Sequence, residues 1–242
     1  MFRVLAVFVT ILVPLAAISQ ELEEIVVSGQ RSDDGAIPAM FLRRPGDFLL
    51  LRIRLTNDSR EEDTRESEIY ATLRRILADA RRADNIEVSL ITADNLVVPL
   101  TNDNYRVRLD RDYRPDTSAT IISVKTPISE SGSDGQVLTN RLRRFVENVE
   151  VEGRTELIPE GGVEISIVGP HQYRNQIIEV FAQDVRAVTQ ALGDNYRVIV
   201  EGIDRPVDWY RVSLLELALF VPYSYVVVPE TVNSYLSVPE YD

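Results

Sequence analysis

The stretch Asp47-Phe-Leu-Leu-Leu-Arg-Ile-Arg-Leu55, followed after Ser59 by Ile69, Leu73, Ile76, Leu77 and Ala80, decides how the chain is read. In the first part, Arg52-Ile53-Arg54-Leu55 alternates polar and apolar residues with a period near two. That period puts alternate side chains on opposite faces of a strand. In the second part the apolar residues recur every three or four positions and gather into one helical stripe to about Ala83. Ser59 and Glu62 have capping-box spacing, in which each side chain bonds the other's free backbone N–H. Glu61, Glu62 and Asp63 crowd the start of this helix, and Arg81 and Arg82 its end. These charges complement the helix dipole and need no partner to explain them.

Outward from there the same rules give the remaining elements. Ile25-Val26-Val27, closing on Ser28-Gly29, predicts a short strand. Residues 31–46, with Asp33, Asp34, Gly35, Pro38, Pro45 and Gly46, predict a loop. Strands are predicted over 86–91, 96–100, 105–109 and 119–125, with residues 110–116 as a polar turn. A second helix carries Leu138, Leu142, Phe145, Val146 and Val149 on one face, with Ser133 or Asp134 as its cap. Two strands follow, over 154–158 and 163–168, separated by Glu160-Gly161-Gly162. Gly169-Pro170 opens a third helix bearing Ile177, Phe181, Val185, Val188 and Leu192, and Gly193 takes the left-handed position after its end. Residues 196–200 form a strand, and 218–228 one or two more.

Strands and helices mix without strict βαβ alternation. The fold class is therefore α+β, with mixed or antiparallel sheets packed on about three amphipathic helices. No Gly/Ser-rich linker divides residues 20–230, and a polar tail follows from 231 to 242. Asp103-Asn-Tyr-Arg-Val107 recurs as Asp194-Asn-Tyr-Arg-Val198, each a strand entry after a turn, an echo too short to establish a duplication.

Residues 1–19 read as a secretory signal. Arg3 supplies the positive start, Val4 to Ala17 an apolar run broken by Thr10 and Pro14, and Ala17 and Ser19 the small residues for cleavage before Gln20. The run is shorter than the roughly 20 residues of a membrane span. Without cleavage it would serve as an anchor. A second apolar stretch, from Val212 to Val228, contains Glu216 and Pro222 and reads as a buried helix-to-strand or strand–strand segment rather than a membrane span. Together with the absence of cysteine, which periplasmic proteins tolerate, the signal implies the periplasm of a Gram-negative bacterium. No stable membrane span remains after cleavage.

Composition excludes whole classes of chemistry. The 242 residues contain no cysteine and one histidine, His171, so thiolate metal sites, disulfides, cysteine nucleophiles and any site needing two imidazoles from one chain are ruled out. Lys125 is the only lysine among 26 basic residues, a preference for arginine that fits a GC-rich coding sequence. A net charge of −12 argues against binding nucleic acid or anionic lipid.

The remaining candidates are few. His171 follows Pro170 at a helix start, with no orienting carboxylate or nucleophile at a productive spacing. Asp110, Asp112 and Asp116 offer clustered carboxylates for a hard cation, but Pro115 stands where the EF-hand turn needs glycine, and arginines interleave. Glu61–Glu62 and Glu150–Glu152 are close carboxylate pairs of a kind that 38 acidic residues guarantee. Asp208, Trp209 and Tyr210 suit either a sugar site or a buried anchor. Gly29, Gly35 and Gly46 make no phosphate loop. On these residues no catalytic, cofactor-binding or metal site is assigned, and no cofactor is expected.

Two family resemblances add to this reading. Glu23-Glu-Ile-Val-Val-Ser-Gly-Gln-Arg31 resembles the mature N-terminus of TonB-dependent outer-membrane receptors, where such a segment pairs with the TonB edge strand. The chain is too short for the plug and barrel of that family. Over most of the mature chain the sequence resembles the SIMPL family of exported proteins. The match is carried by Val27-Ser28-Gly29, the strand over 48–55, the helix over 60–83, the strand and helix over 119–125 and 137–149, Ala191-Leu192-Gly193 and the closing strands. The third helix departs from the family, with Ile177, Ile178 and Phe181 and no lysine. The resemblance implies an α+β envelope protein without established catalysis, some of whose relatives assemble into rings.

The expectation is therefore an exported, non-enzymatic interaction or scaffold protein of the SIMPL type that self-associates or binds an envelope protein. The alternatives are a secreted carboxylate-based hydrolase and a TonB-interacting accessory protein using residues 23–31.

Overall fold

Residues 22–27, 40–111, 116–129 and 134–231 are described by the structure, a computed structural model. The strands are β1 (Glu24–Val27), β2 (Leu42–Pro45), β3 (Phe48–Asn57), β4 (Glu87–Ile91), β5 (Val97–Pro99), β6 (Asp110–Arg111), β7 (Ser118–Pro127), β8 (Thr155–Val168), β9 (Tyr196–Glu201), β10 (Asp208–Arg211), β11 (Glu216–Phe220) and β12 (Ser224–Pro229). The helices are α1 (Glu62–Arg82), α2 (Gly135–Asn148) and α3 (Arg174–Leu192), the last entered through a 3-10 turn at Pro170–Tyr173. The class is α+β, as the element order predicts.

The main sheet has seven antiparallel strands in the order β1-β8-β3-β7-β4-β5, with β6 also on β7. Its ends meet. Ile25 bridges Leu96, just ahead of β5, and the Val26 N–H donates to the Asn95 carbonyl at 2.9 Å, so the sheet nearly closes into a barrel.

Alternation along β3 sorts its side chains between two cores. Leu49, Leu51, Ile53 and Leu55 face outward onto Ile69, Leu73, Ile76 and Leu77 of α1 and Leu138, Leu142 and Val146 of α2, forming the principal core. Leu50 faces the other way into a smaller cluster with Val26, Val97, Phe48 and Ile91. The helices thus cover one face of the sheet, and the curl of the sheet covers part of the other.

Several predicted boundaries move. The two strands expected around Glu160-Gly161-Gly162 are one bent strand, β8. Opposite it, Leu50 pairs with Glu164 and Arg52 with Glu160, so extra residues bulge out where Gly161 adopts φ +68°. Part of the loop predicted over 31–46 is strand β2, which pairs with β11 in a second sheet, β10-β11-β2. Pro45 ends β2 at the edge of that sheet, where a missing N–H is tolerated. Residues 28–39, including Ser28, Gly29 and Gly35, lie outside the described residues.

Residues 105–109 are not a strand. The Tyr70 hydroxyl donates to the Val107 carbonyl at 2.9 Å, and Tyr105 packs edge-on against Tyr70. Side-chain anchoring replaces a ladder there. Pairing resumes at Asp110–Arg111, inside the expected turn.

The capping box does not form. The Ser59 hydroxyl donates instead to Glu68 Oε2 at 2.8 Å, and the first turn of α1 is tied down by buried Arg65, whose Nη1 donates to the Ser59 and Arg60 carbonyls. For α2, Asp134 is the cap and accepts from the N–H groups of Gln136 and Val137, while Ser133 lies outside the described residues. Gly193 has positive φ (79°), but its ψ of 174° is extended rather than left-handed helical.

The stretch from Val212 to Val228 holds β11 and most of β12 with a short connection, the strand–strand form of the two expected; β11 is buried as expected, but β12 is largely exposed. No helix among the described residues is long and apolar enough to cross a membrane. Only Ile177 and Phe181 of the predicted α3 stripe are buried, and Leu192 is 42% exposed. α3 lies beside β9, which pairs only with β12 among the described residues.

Candidate functional site

A cleft of about 760 Å³ opens between the end of α1 and one side of α2. Its position follows from the sequence of α2. Leu138, Leu142 and Val146 bury one stripe, and an adjacent stripe at three- and four-residue steps, Val137, Asn140, Arg141, Arg144 and Asn148, faces the opening with Phe145 at the border. From α1 and the turn after it come Asp79, Arg82, Ala83, Asp84 and Ile86. The floor is apolar, with Ile86 buried and Phe145 and Val149 partly buried against the core.

The charges at the rim are not equivalent. Arg82 Nη1 is held by Asp79 Oδ1 at 3.1 Å, and Arg141 Nη1 donates to Thr126 Oγ1 at 3.1 Å. Arg144 is exposed and makes no hydrogen bond or ion pair among the described residues.

On the inner face of the curled sheet, the chain's only lysine is buried. Lys125 bonds Glu24 Oε2, lies 3.2 Å from Glu87 Oε2 and sits 3.9 Å from the centre of the Phe48 ring. Ser166 Oγ donates to Glu24 Oε1 at 2.6 Å. Lys125 is 3% exposed and Ser166 0%, so this hydroxyl faces carboxylate rather than any route to solvent. Beside them Arg52 pairs with Glu164 at 2.7 Å, and Arg54 with Glu160. The cluster fastens β1 to β7 and β8.

A second polar hub joins α1 to the start of β8. Glu68 accepts from the Arg154 N–H (3.0 Å), Asn57 Nδ2 (2.7 Å) and Ser59 Oγ (2.8 Å). The Arg154 backbone donor leads, with Asn57 next, in holding the Glu68 carboxyl below its ordinary pKa.

The residues singled out from the sequence do not converge. His171 is exposed on the 3-10 turn. Asp110 is exposed and pairs with Arg108 at 3.2 Å, Asp116 is exposed, and Asp112 lies outside the described residues. No group of three or more His, Asp or Glu among the described residues is arranged to hold a metal ion. Glu150 and Glu152 are both held by Arg75, at 3.0 and 2.8 Å, which explains their proximity structurally. Trp209 packs against the principal core, while Tyr210, on the opposite face of β10, meets Phe41 and Phe220. Neither lines the cleft. Of the segment 23–31, Glu24–Val27 is already paired with β8, and Ile25, Val26 and Val27 are buried.

The sequence reading missed the cleft and the role of Lys125. The second stripe on α2 was legible as a row of Arg and Asn beside the apolar one. A sole lysine within the strand pattern over 119–125 was a signal too.

The fold and surfaces define an α+β protein with a nearly closed antiparallel sheet and two helices across its outer face. No family model and no curated protein matches the chain. A solved structure of a hydrolase from Listeria innocua aligns over 78% of this chain and 94% of its own, at 11% identity and a TM-score of 0.16, too low to bear on fold or chemistry.

Proposed function

We propose that this chain is an exported, periplasmic interaction protein of the SIMPL type, non-enzymatic, acting by self-association through β12. The observation that carries this reading is the composition and exposure of that strand. Ser224-Tyr-Val-Val-Val-Pro229 contains no charge, pairs only with β9 among the described residues, and leaves Tyr225 40% and Val226 58% exposed. Natural edge strands are usually guarded by charge, bulges or a covering element, because an open row of N–H and C=O groups recruits another strand. A two-stranded ribbon is also marginal alone and gains from a third and fourth strand. Pairing of β12 with β12 of a second copy about a two-fold axis would supply both.

The test is solution mass by light scattering after size exclusion, for the wild-type protein and for Val226→Lys. The expected result is a dimer or larger assembly that Val226→Lys reduces to monomer while the circular dichroism spectrum is unchanged. A wild-type monomer at the highest soluble concentration would sink the reading.

A further inference from the structure

We infer that the cleft between α1 and α2 is a binding site for an amphipathic oxyanion, a single carboxylate or phosphate carried on an apolar body. The argument rests on charge placement. The protein carries 38 acidic residues against 26 basic ones, yet three arginines, Arg82, Arg141 and Arg144, meet at this one opening. Two aspartates oppose them. Asp79 is occupied by Arg82, whereas Asp84 is exposed at the mouth.

The remaining cations divide the work. Arg141 is fixed in direction by its bond to Thr126, a fully buried residue of β7, so part of its guanidinium is preorganised at the inner end. Arg144, one turn along the same face of α2, has no partner within the described residues to give up. Guanidinium groups present paired donors that fit a carboxylate or a phosphate. Asn140 and Asn148 flank them on the same stripe with further amide donors. Below lie Ile86, Phe145 and Val149, with Val137 55% exposed at one side. A cleft of this volume, apolar beneath and polar at a few converging points, has the form of a small-molecule site. A purely apolar ligand would leave the arginines unused, and a fully polar one would leave the floor wet.

The experiment is calorimetric titration of the purified protein with octanoate, octyl phosphate and, as a neutral control, octan-1-ol, at two salt concentrations. At least one anion is expected to bind more tightly than octan-1-ol and to weaken at high salt, and the better of the two identifies the headgroup. Arg144→Met keeps the apolar stem at an exposed position, so folding is preserved. It is expected to weaken the anion by about tenfold and leave octan-1-ol unchanged. Equal affinity for anion and alcohol, no effect of Arg144→Met, or no binding of either anion would overturn the inference. A chain truncated after Thr231 should bind as the full chain does. Tighter binding by the truncated chain would make the tail the occupant and overturn it as well.

Discussion

Replacing Lys125 by methionine tests whether the buried charge cluster holds the barrel seam. Lys125 and Glu24 have side-chain exposures of 4% and 11%, so both have left water almost completely. Taking away one member of such a pair leaves the other charged and uncompensated, which costs about 3–5 kcal/mol. The low end applies here, because Glu24 keeps the Ser166 hydroxyl as a donor and methionine still covers the Phe48 ring. The ion pair to Glu87 adds little, since that carboxylate is 54% exposed. We therefore expect Lys125→Met to destabilise the protein by about 3 kcal/mol, read as a lower urea midpoint at constant slope. The decisive comparison is the double variant Lys125→Met/Glu24→Gln. It removes both charges, leaves an acceptor for Ser166, and should recover all but about 1 kcal/mol. A single variant within 1 kcal/mol of wild type, or a double variant no better than the single one, would show that the seam rests on apolar packing alone.

Two further outcomes follow from the Glu68 hub. Gly153 has φ +57°, and a Cβ there would run into the Glu68 carboxylate, so Gly153→Ala combines left-handed strain with displaced hydrogen bonds and should cost about 2–3 kcal/mol by urea unfolding. Because the Glu68 pKa is lowered on folding from 4.5, the stability it confers is complete above that value and is lost as pH falls through the lower folded-state value. Wild type should therefore lose more stability than Glu68→Gln on acidification below pH 4.5, and parallel pH profiles for the two would refute the assignment.

Period-two and period-3.6 patterns were sufficient where an element buries one face. Leu49 to Leu55 and Ile69 to Ala80 told their own structure because the burial of each stripe dominates its energetics. The patterns failed where long-range pairing decided. Arg43 and Arg44 give no strand signal, yet β2 exists because β11 supplies its ladder. The apolar residues of 105–109 mimic a strand, but Val107 is buried by coil held to Tyr70. Ser59 fits a cap by spacing, and Glu68, two turns into α1, takes its hydroxyl. For the surfaces the limit was different. The sequence shows which residues are arginine, but only the packing of α1 beside α2 brings Arg82 near Arg141 and Arg144.

The closure of the sheet sets the order in which the chain can mature. β1 precedes the other described strands along the chain, yet its main partner is β8, and Glu24 meets Ser166 across 142 positions of sequence. Its apolar Ile25-Val26-Val27 and the Glu24 carboxylate must wait while nearly the whole sheet is made. Loop-closure entropy of that length makes such a contact slow to form. The intervening strands β3 and β7 can join as soon as residue 127 has emerged, so the barrel would assemble from its middle and seal last at its beginning. Until sealing, β1 is an exposed apolar strand with an unpaired acid, the kind of segment that holding chaperones recognise and proteases cut.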